Sequence, residues 1–257
     1  MRIALFSDIH SNLPSLNAVL GDIDAKRPDA LYCLGDLVGY NVWPNEVISE
    51  IRARKIPTIA GNYDFGIGRS SDDCGCAYKT DLEKEMGKVS ISYTNEIVGP
   101  EERKYLRTLP AHIKIEFQLN NDKLNLLLVH GSPRRINEYL FEDRESKSLY
   151  RIMEQADADI MCFGHTHKPY HRAINSSEEN SNHIRHAVNI GSVGKPKDGD
   201  PRACYVILTL DDRTNSQDKD SIAVEFVRVQ YDIEKAAKAV EDSPLPAGYA
   251  DMLRKAY

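Results

Sequence analysis

Five short stretches hold the side chains best suited to chemistry: "SDIHSN" at Ser7–Asn12, "GDLVGY" at Gly35–Tyr40, "GNYD" at Gly61–Asp64, "VHGS" at Val129–Ser132 and "GHTH" at Gly164–His167. Together they carry Asp8, His10, Asp36, Asn62, His130, His165 and His167. Four histidines, two aspartates and an amide oxygen suit borderline divalent ions such as manganese, iron, zinc or nickel. Seven ligands are too many for one such ion and suit two, with one carboxylate bridging. Asp8 and His10 lie two apart, as do His165 and His167, so in extended chain each pair points to one side. Asp36 and Asn62 each follow a glycine and His130 precedes one, which permits tight turns and close approach of backbone to a ligand. Taken singly these fragments say little, and one histidine after a strand is more often a hydrogen-bonded structural residue. The ordered set of five is what points to a two-metal site.

Such side chains need elements to bring them together, and the flanking sequence supplies them. "RIALFS" reads as a buried strand stopping at Asp8, "ALYCLG" as a second stopping at Asp36, and "PTIAG" as a third stopping at Asn62. "AHIKIEFQL" and "KLNLLLVHG" suggest a strand pair ending at His130, and "DIMCFGHTH" a buried strand ending at the two histidines. In α/β sheets, ligands collect outside the carboxyl ends of the strands. Helical spacing runs from about Leu13 to Lys26, through Leu16, Val19, Leu20 and Ile23. Pro44 opens a helix through Arg54, and further helices fall near Glu85–Thr94, Glu101–Thr108 and Ser146–Ala156. The polar stretch Phe65–Glu85 reads as a long loop, a candidate lid or oligomer contact. The later chain is strand-rich, in "HIRHAVNIGS", "ACYVILTL" and "IAVEFVRV". Asp232–Val240 reads as a helix with a loose end after it, in a helical C-terminal tail at about 232–257. The Ser176–Asn182 run reads as a polar loop. Strands alternating with helices early, and strands with few helices late, predict a layered α/β domain. A single domain over 1–257, with a loop insertion at about 65–85, is the expected organisation.

The 257 residues are 41% hydrophobic, enough for a substantial core without staples. The 33 basic and 39 acidic residues give a formal charge of −6. A sequence-independent nucleic-acid binder needs a basic face, so nucleic acid is not the expected partner. Five cysteines, an odd number mostly set in apolar runs, fit a reduced cytoplasmic protein better than a disulfide scaffold. Cys74 and Cys76, in "DDCGCAY", stand in a polar segment without a second pair nearby. "MRIALFSDIH" is too short an apolar stretch for a signal peptide or membrane span.

The five stretches, in this order, resemble those of the calcineurin-like metallophosphoesterases. "NIGSVGKPKDGDPRACYVIL" resembles the YfcE-like phosphodiesterase branch and extends the likeness to about Leu210. "GDLVGYN", "PNEV" and "GNYDFGIG" also resemble diadenosine-tetraphosphate hydrolases. The resemblance implies an α/β fold of four layers, a metallophosphoesterase sandwich of two mixed β-sheets flanked by helices. It implies two divalent metal ions, manganese first, with iron, nickel or zinc as alternatives. One would be held by Asp8, His10, Asp36 and His167, the other by Asp36, Asn62, His130 and His165, with Asp36 bridging. A water or hydroxide between the ions would attack a small phosphate ester or nucleotide, with phosphodiesters ahead of monoesters and dinucleoside polyphosphates. The resemblance also admits two rivals, a nuclease and a non-catalytic scaffold like the retromer subunit of this fold. A scaffold has no need of all seven ligands.

Tyr63 stands where many members have a histidine assigned to protonate the leaving oxygen, while Asp64 stands where the following acid orients it. Tyrosine, with a pKa of about 10 against about 6.5 for histidine, is a weaker acid. The nucleophile half of the site is therefore expected to be intact and the leaving-group half altered. Asp64 is a candidate partner of Tyr63 or anchor of a metal histidine. For substrate phosphate the candidates are Asn12, Arg134 and Arg202, with Arg135, Lys195 and Lys197 nearby and the Gly191–Gly194 backbone as a candidate wall. A solvated surface charge is the more ordinary role for any one of these cations. The expected protein has no membrane partner, and a homo-oligomer is left open.

Overall fold

Apolar side chains on both faces of the strands set the architecture. In the computed structural model, which describes residues 1–119, 122–176 and 182–257, the elements are β1 (Arg2–Phe6), α1 (Leu13–Lys26), β2 (Ala30–Cys33), α2 (Pro44–Ala53), α3 (Asn62–Gly68), α4 (Asp81–Ile97), α5 (Pro100–Leu106), β3 (His112–Leu119), β4 (Asp122–Val129), α6 (Ser146–Gln155), β5 (Ile160–Phe163), β6 (Tyr170–Asn175), β7 (Ile184–Asn189), β8 (Ala203–Thr209), β9 (Ala223–Val229), α7 (Ile233–Glu241) and α8 (Gly248–Lys255). They form a sheet in the order β2-β1-β8-β9 and another in the order β3-β4-β5-β7-β6. Both are mixed: β1 runs parallel to β2 and antiparallel to β8, while β5 runs parallel to β4 and β7, which carry antiparallel partners.

Successive strand residues point to opposite faces, so a strand covered on both sides must be apolar throughout. Ile3 and Leu5 of β1 meet Leu126 and Leu128 of β4, Ile160 and Cys162 of β5 and Val206 and Leu208 of β8 between the sheets. Ala4 and Phe6 point the other way, into a core with Leu16, Val19, Leu20 and Ile23 of α1 and Ala236, Ala237 and Val240 of α7. Leu127, Val129, Met161 and Phe163 pack beneath Leu149, Ile152 and Met153 of α6. The result is four layers, helices outside and two sheets within, as the sequence leads one to expect.

The differences are local and have causes. Pro57–Gly61 is not a strand: Thr58 makes a single bridge to Cys33, and the Ala60 amide turns away to donate to the Pro110 carbonyl at 2.8 Å. The chain then enters α3 at Asn62, because the Asp64 carboxylate accepts from the Gly61 amide at 2.9 Å and caps the first turn. The expected loop at 65–85 thus contains the rest of α3 and the start of α4, which Thr80 caps by accepting from the Glu83 amide at 3.1 Å. β6 went unforeseen, its sequence being too polar to stand out. The expected loose end after Val240 folds into α8, packed on α7. Residues 177–181 of the Ser176–Asn182 run lie outside the described residues. No helix of the described residues is long and apolar enough to cross a membrane.

Candidate metal centre

Five of the seven metal-ligand candidates occupy backbone that L-residues seldom adopt. Asp8, His10, Asp36, His165 and His167 have φ of 54°, 47°, 54°, 64° and 60°. Such left-handed residues are uncommon and persist where the surroundings over-determine them, chiefly at functional sites. The two residues of each spaced pair therefore do not share a side by virtue of extended chain. Tight left-handed turns beyond β1, β2 and β5 aim them instead.

Those turns gather the side chains into two buried groups, Asp8 with His10 and His167, and Asp36 with His130 and His165. His167 Nε2 lies 3.1 Å from Asp8 Oδ1 and 3.1 Å from His10 Nε2. His130 Nε2 lies 3.1 Å from Asn62 Oδ1 and 3.3 Å from Asp36 Oδ2. Asp36 Oδ2 is also 3.6 Å from His10 Nε2, so this one oxygen faces both groups. Separations near 3 Å between ligand atoms are the edges expected around an ion held at about 2.0–2.2 Å. Asp8 Oδ1 and His165 Nε2 are buried with no hydrogen-bond partner, which a bound cation would provide. The residues fit a pair of divalent ions.

Every ligand except His165 spends its other polar atom on the scaffold, which fixes its aim. His10 Nδ1 meets the Val38 carbonyl at 3.0 Å, His130 Nδ1 that of Leu34 at 2.9 Å, and His167 Nδ1 that of Lys195 at 2.5 Å. A carbonyl only accepts, so Nδ1 carries the proton and Nε2 offers its lone pair to the centre. Asp8 Oδ2 accepts from Ser7 Oγ at 2.5 Å and from the His165 amide at 3.1 Å, leaving Oδ1 for the centre. Asp36 Oδ1 accepts from the Tyr63 amide at 2.9 Å. The Asn62 amide nitrogen donates to the Cys74 carbonyl at 2.8 Å, which turns Oδ1 inward. Two of the motif glycines make room: a Cβ on Gly61 would stand 2.0 Å from Asp36 Oδ1, and one on Gly164 2.3 Å from Asp8 Oδ2.

Burial pushes His165 and His167 down to about 3 and lowers His10, so these imidazoles are neutral, the form that ligates. Burial opposes charge on His130 as well, but Asp36 beside it outweighs this and raises it to about 10, so an ion binding there must displace the Nε2 proton before His130 offers its lone pair. Burial alone would raise Asp8, yet His167, His130 and His10 hold it well below the carboxylate range. Asp36, also buried, is likewise lowered by His130 and His10.

A model of the calcineurin-like phosphoesterase superfamily domain matches residues 1–213. The chain belongs to that superfamily. It is 33% identical to the uncharacterised protein MJ0912 of Methanocaldococcus jannaschii, with 98% of this chain and 96% of that protein aligned. It is similar to the crystal structure of a metallophosphoesterase from Sphaerobacter thermophilus, at 28% identity and TM-score 0.71, covering 100% of this chain and 99% of that one. The fold is also that of the hypothetical protein PH1004 from Pyrococcus horikoshii OT3, at TM-score 0.76 and 22% identity, over 100% of this chain and 98% of that one.

Around this centre the remaining candidates fall variously. Tyr63 is buried, 1% exposed, its ring edge-on to His10 at 5.4 Å and its hydroxyl without a hydrogen-bond partner. Asp64 braces backbone rather than a histidine, accepting from the Leu37 and Gly61 amides at 2.9 Å each. Burial first, and Asp36 next, raise it to about 7. Asn12 is engaged as the cap of α1, accepting from the Ser15 amide at 3.2 Å and donating to the Gly194 carbonyl at 3.0 Å. Arg134 is paired with Glu138, and Arg202 with Asp200 at 2.6 Å. The Val193 and Gly194 amides donate to the Ser7 and Asp8 carbonyls at 2.9 Å, so they support the first ligand rather than forming a wall. Sequence reasoning left Cys76, Tyr40, Tyr139 and Tyr249 without a place at the site. Cys76 Sγ lies 3.4 Å from the Asn62 amide nitrogen, and Tyr139 packs on His165 at 4.1 Å. Tyr40 packs on His10 at 4.7 Å and on Tyr249 at 5.1 Å. Cys76 and Tyr249 become neighbours only through the folding back of 69–80 and of α8, while Tyr40 and Tyr139 come from the segments after β2 and β4.

Proposed function

We propose that the protein is a dinuclear-metal-dependent phosphoesterase that hydrolyses phosphodiesters, with small phosphate esters or nucleotides as substrates and manganese as the favoured ion. The observation that carries this is the placement of Asp36 Oδ2 between His10 Nε2 at 3.6 Å and His130 Nε2 at 3.3 Å. One carboxylate oxygen thereby serves two ligand sets. Bound there, two divalent ions would activate a water and offset charge on the phosphoryl oxygens.

The chain's own part is to hold its donors rigidly. Backbone carbonyls fix three histidine tautomers, and Asn62 is turned inward by the 69–80 segment. Tyr63 closes the floor behind His10. Burial raises its hydroxyl well above the ordinary tyrosine value, so it stays protonated and is a poor acid. The leaving group must then depart with little help, although general acid catalysis is typically worth roughly 10²–10⁴-fold. Aryl esters should be cut well and alkyl esters poorly.

Two measurements test this. Metal analysis of the loaded protein should give two ions per chain. A leaving-group series on wild type and Tyr63→His should show a steep dependence on leaving-group acidity that flattens in the variant. Equal slopes would count against the role assigned to this position.

A further inference from the structure

The metal centre is closed to solvent. None of its seven ligand candidates is more than 4% exposed. Residues 71–79, a piece of chain between α3 and α4 with neither helix nor strand, lie across it. On the His130 and His165 side, the Cys74 carbonyl accepts from the Asn62 amide nitrogen at 2.8 Å. Cys76 Sγ stands 3.4 Å from the same nitrogen and 3.9 Å from the hydroxyl of Tyr40, whose ring packs on His10 in the other ligand group. The Ala77 amide donates to the hydroxyl of Tyr139 at 3.3 Å, and that ring packs on His165 at 4.1 Å. The segment therefore touches neighbours of both groups. Its burial alternates as expected of extended chain laid over a surface: Cys74 is 6% exposed and Cys76 and Tyr78 are half-buried, while Asp73, Ala77 and Lys79 face solvent.

Little holds this cover down. Among the described residues, 72–79 make no backbone–backbone hydrogen bond. Side chains tie them instead: those of Asn62 and Tyr139, and that of Asn137, which donates to the Gly75 carbonyl at 2.9 Å. The ends are firmer. The Ser70 and Ser71 amides bond back to α3, and Thr80 caps α4. Segments with few buried contacts and no ladder open well before the core does. Resting on the phosphoesterase reading, an ester must reach ligands that this cover seals. We propose that residues 71–79 are a lid, which swings away from Asn62, Asn137 and Tyr139 to admit the ester and closes again over it. The contacts that close it also aim Asn62 Oδ1 and brace His165, so closure completes the second ligand group while it shuts water away from the reacting ester.

A reversible lock tests this. A Cβ on Gly75 would stand 3.7 Å from Asn137 Cβ, within the roughly 3.5–4.5 Å that a disulfide spans. The double variant Gly75→Cys, Asn137→Cys, oxidised and its bridge confirmed by peptide mapping, should keep its manganese and lose hydrolysis of bis(p-nitrophenyl) phosphate. Reduction should restore the rate. Cys74 supplies a readout independent of turnover. In the manganese-loaded wild type its alkylation by iodoacetamide should be faster than that of Cys33, Cys162 and Cys204, which are 0–1% exposed. It should also be insensitive to low urea, whereas the rates of those three should rise steeply with it. Asn137→Ala removes one tie and should speed Cys74 alkylation about fivefold. Full hydrolysis by the oxidised pair, or Cys74 alkylated only at the urea-dependent rate of the core cysteines, overturns the lid while the metal centre stands. If the pair does not fold or bridge, alkylation of wild type and Asn137→Ala decides. No hydrolysis by wild type and the reduced pair alike, with two ions bound, contradicts the phosphoesterase reading instead.

Discussion

Six of the seven side chains that meet at the centre are held at two points, and their substitutions should read accordingly. Asp36 gives one oxygen to the Tyr63 amide and the other to both ligand groups. Asp36→Asn should reduce turnover by more than the roughly 10–100-fold typical of losing an outer partner, with metal content falling alongside. Tyr63 differs, because its buried hydroxyl has no partner. Leaving such a group unsatisfied costs about 1–3 kcal/mol. Tyr63→Phe is therefore expected to raise stability by about 1 kcal/mol, measured by denaturant unfolding. A clear loss would show that the hydroxyl has a partner in solution. The ligands were legible because residue type and order announce metal chemistry. The left-handed backbone that aims them was not, since nothing about Asp or His in a sequence prescribes φ near 50°.

Elements position these residues through junctions more than through their interiors. β1, β2, β4 and β5 all end at the centre, and their apolar runs made that readable. Asn62 arrives differently, at the first turn of a helix whose cap is Asp64. Here the expectation of a strand failed because "PTIAG" has strand-like composition, while the Ala60 amide is taken by Pro110. Gly61 shows how tight that junction is. A Cβ there would stand 2.0 Å from Asp36 Oδ1, and forcing extra atoms into a packed site typically costs 1–3 kcal/mol. Gly61→Ala should lower stability by about that much and weaken metal binding; a variant with unchanged melting and metal content would refute the close approach. α8 is the counterpart at the other end of the chain. Tyr249 reaches Tyr40 only because α8 packs on α7, a contact that no local pattern reveals.

Across the molecule, two sheets share one interior and the centre sits at their common edge, so metal binding and global stability should be linked. Ions that bind the folded state alone stabilise it by about 3 kcal/mol at a hundred times the dissociation constant. For a chain of this size that corresponds to roughly 5–10 °C in melting temperature. Removing manganese should lower the melting temperature by that amount, and adding it back should restore it. The interior itself can be probed at Leu128, buried between the sheets. Leu128→Ala should cost about 2–5 kcal/mol, with activity retained once the protein is folded. The layered architecture was readable from apolar runs covered on both faces, whereas the strand order, with β8 beside β1, rests on pairings between distant segments.

The most direct measurement is phosphate-ester hydrolysis by the metal-stripped protein with manganese, nickel, zinc or magnesium added back. Bis(p-nitrophenyl) phosphate and p-nitrophenyl phosphate serve as substrates and Asp36→Asn as the control. Metal-dependent cleavage, faster for the diester and abolished in the control, is the predicted result. No turnover of either ester with any ion, although two ions are bound per chain, would contradict it.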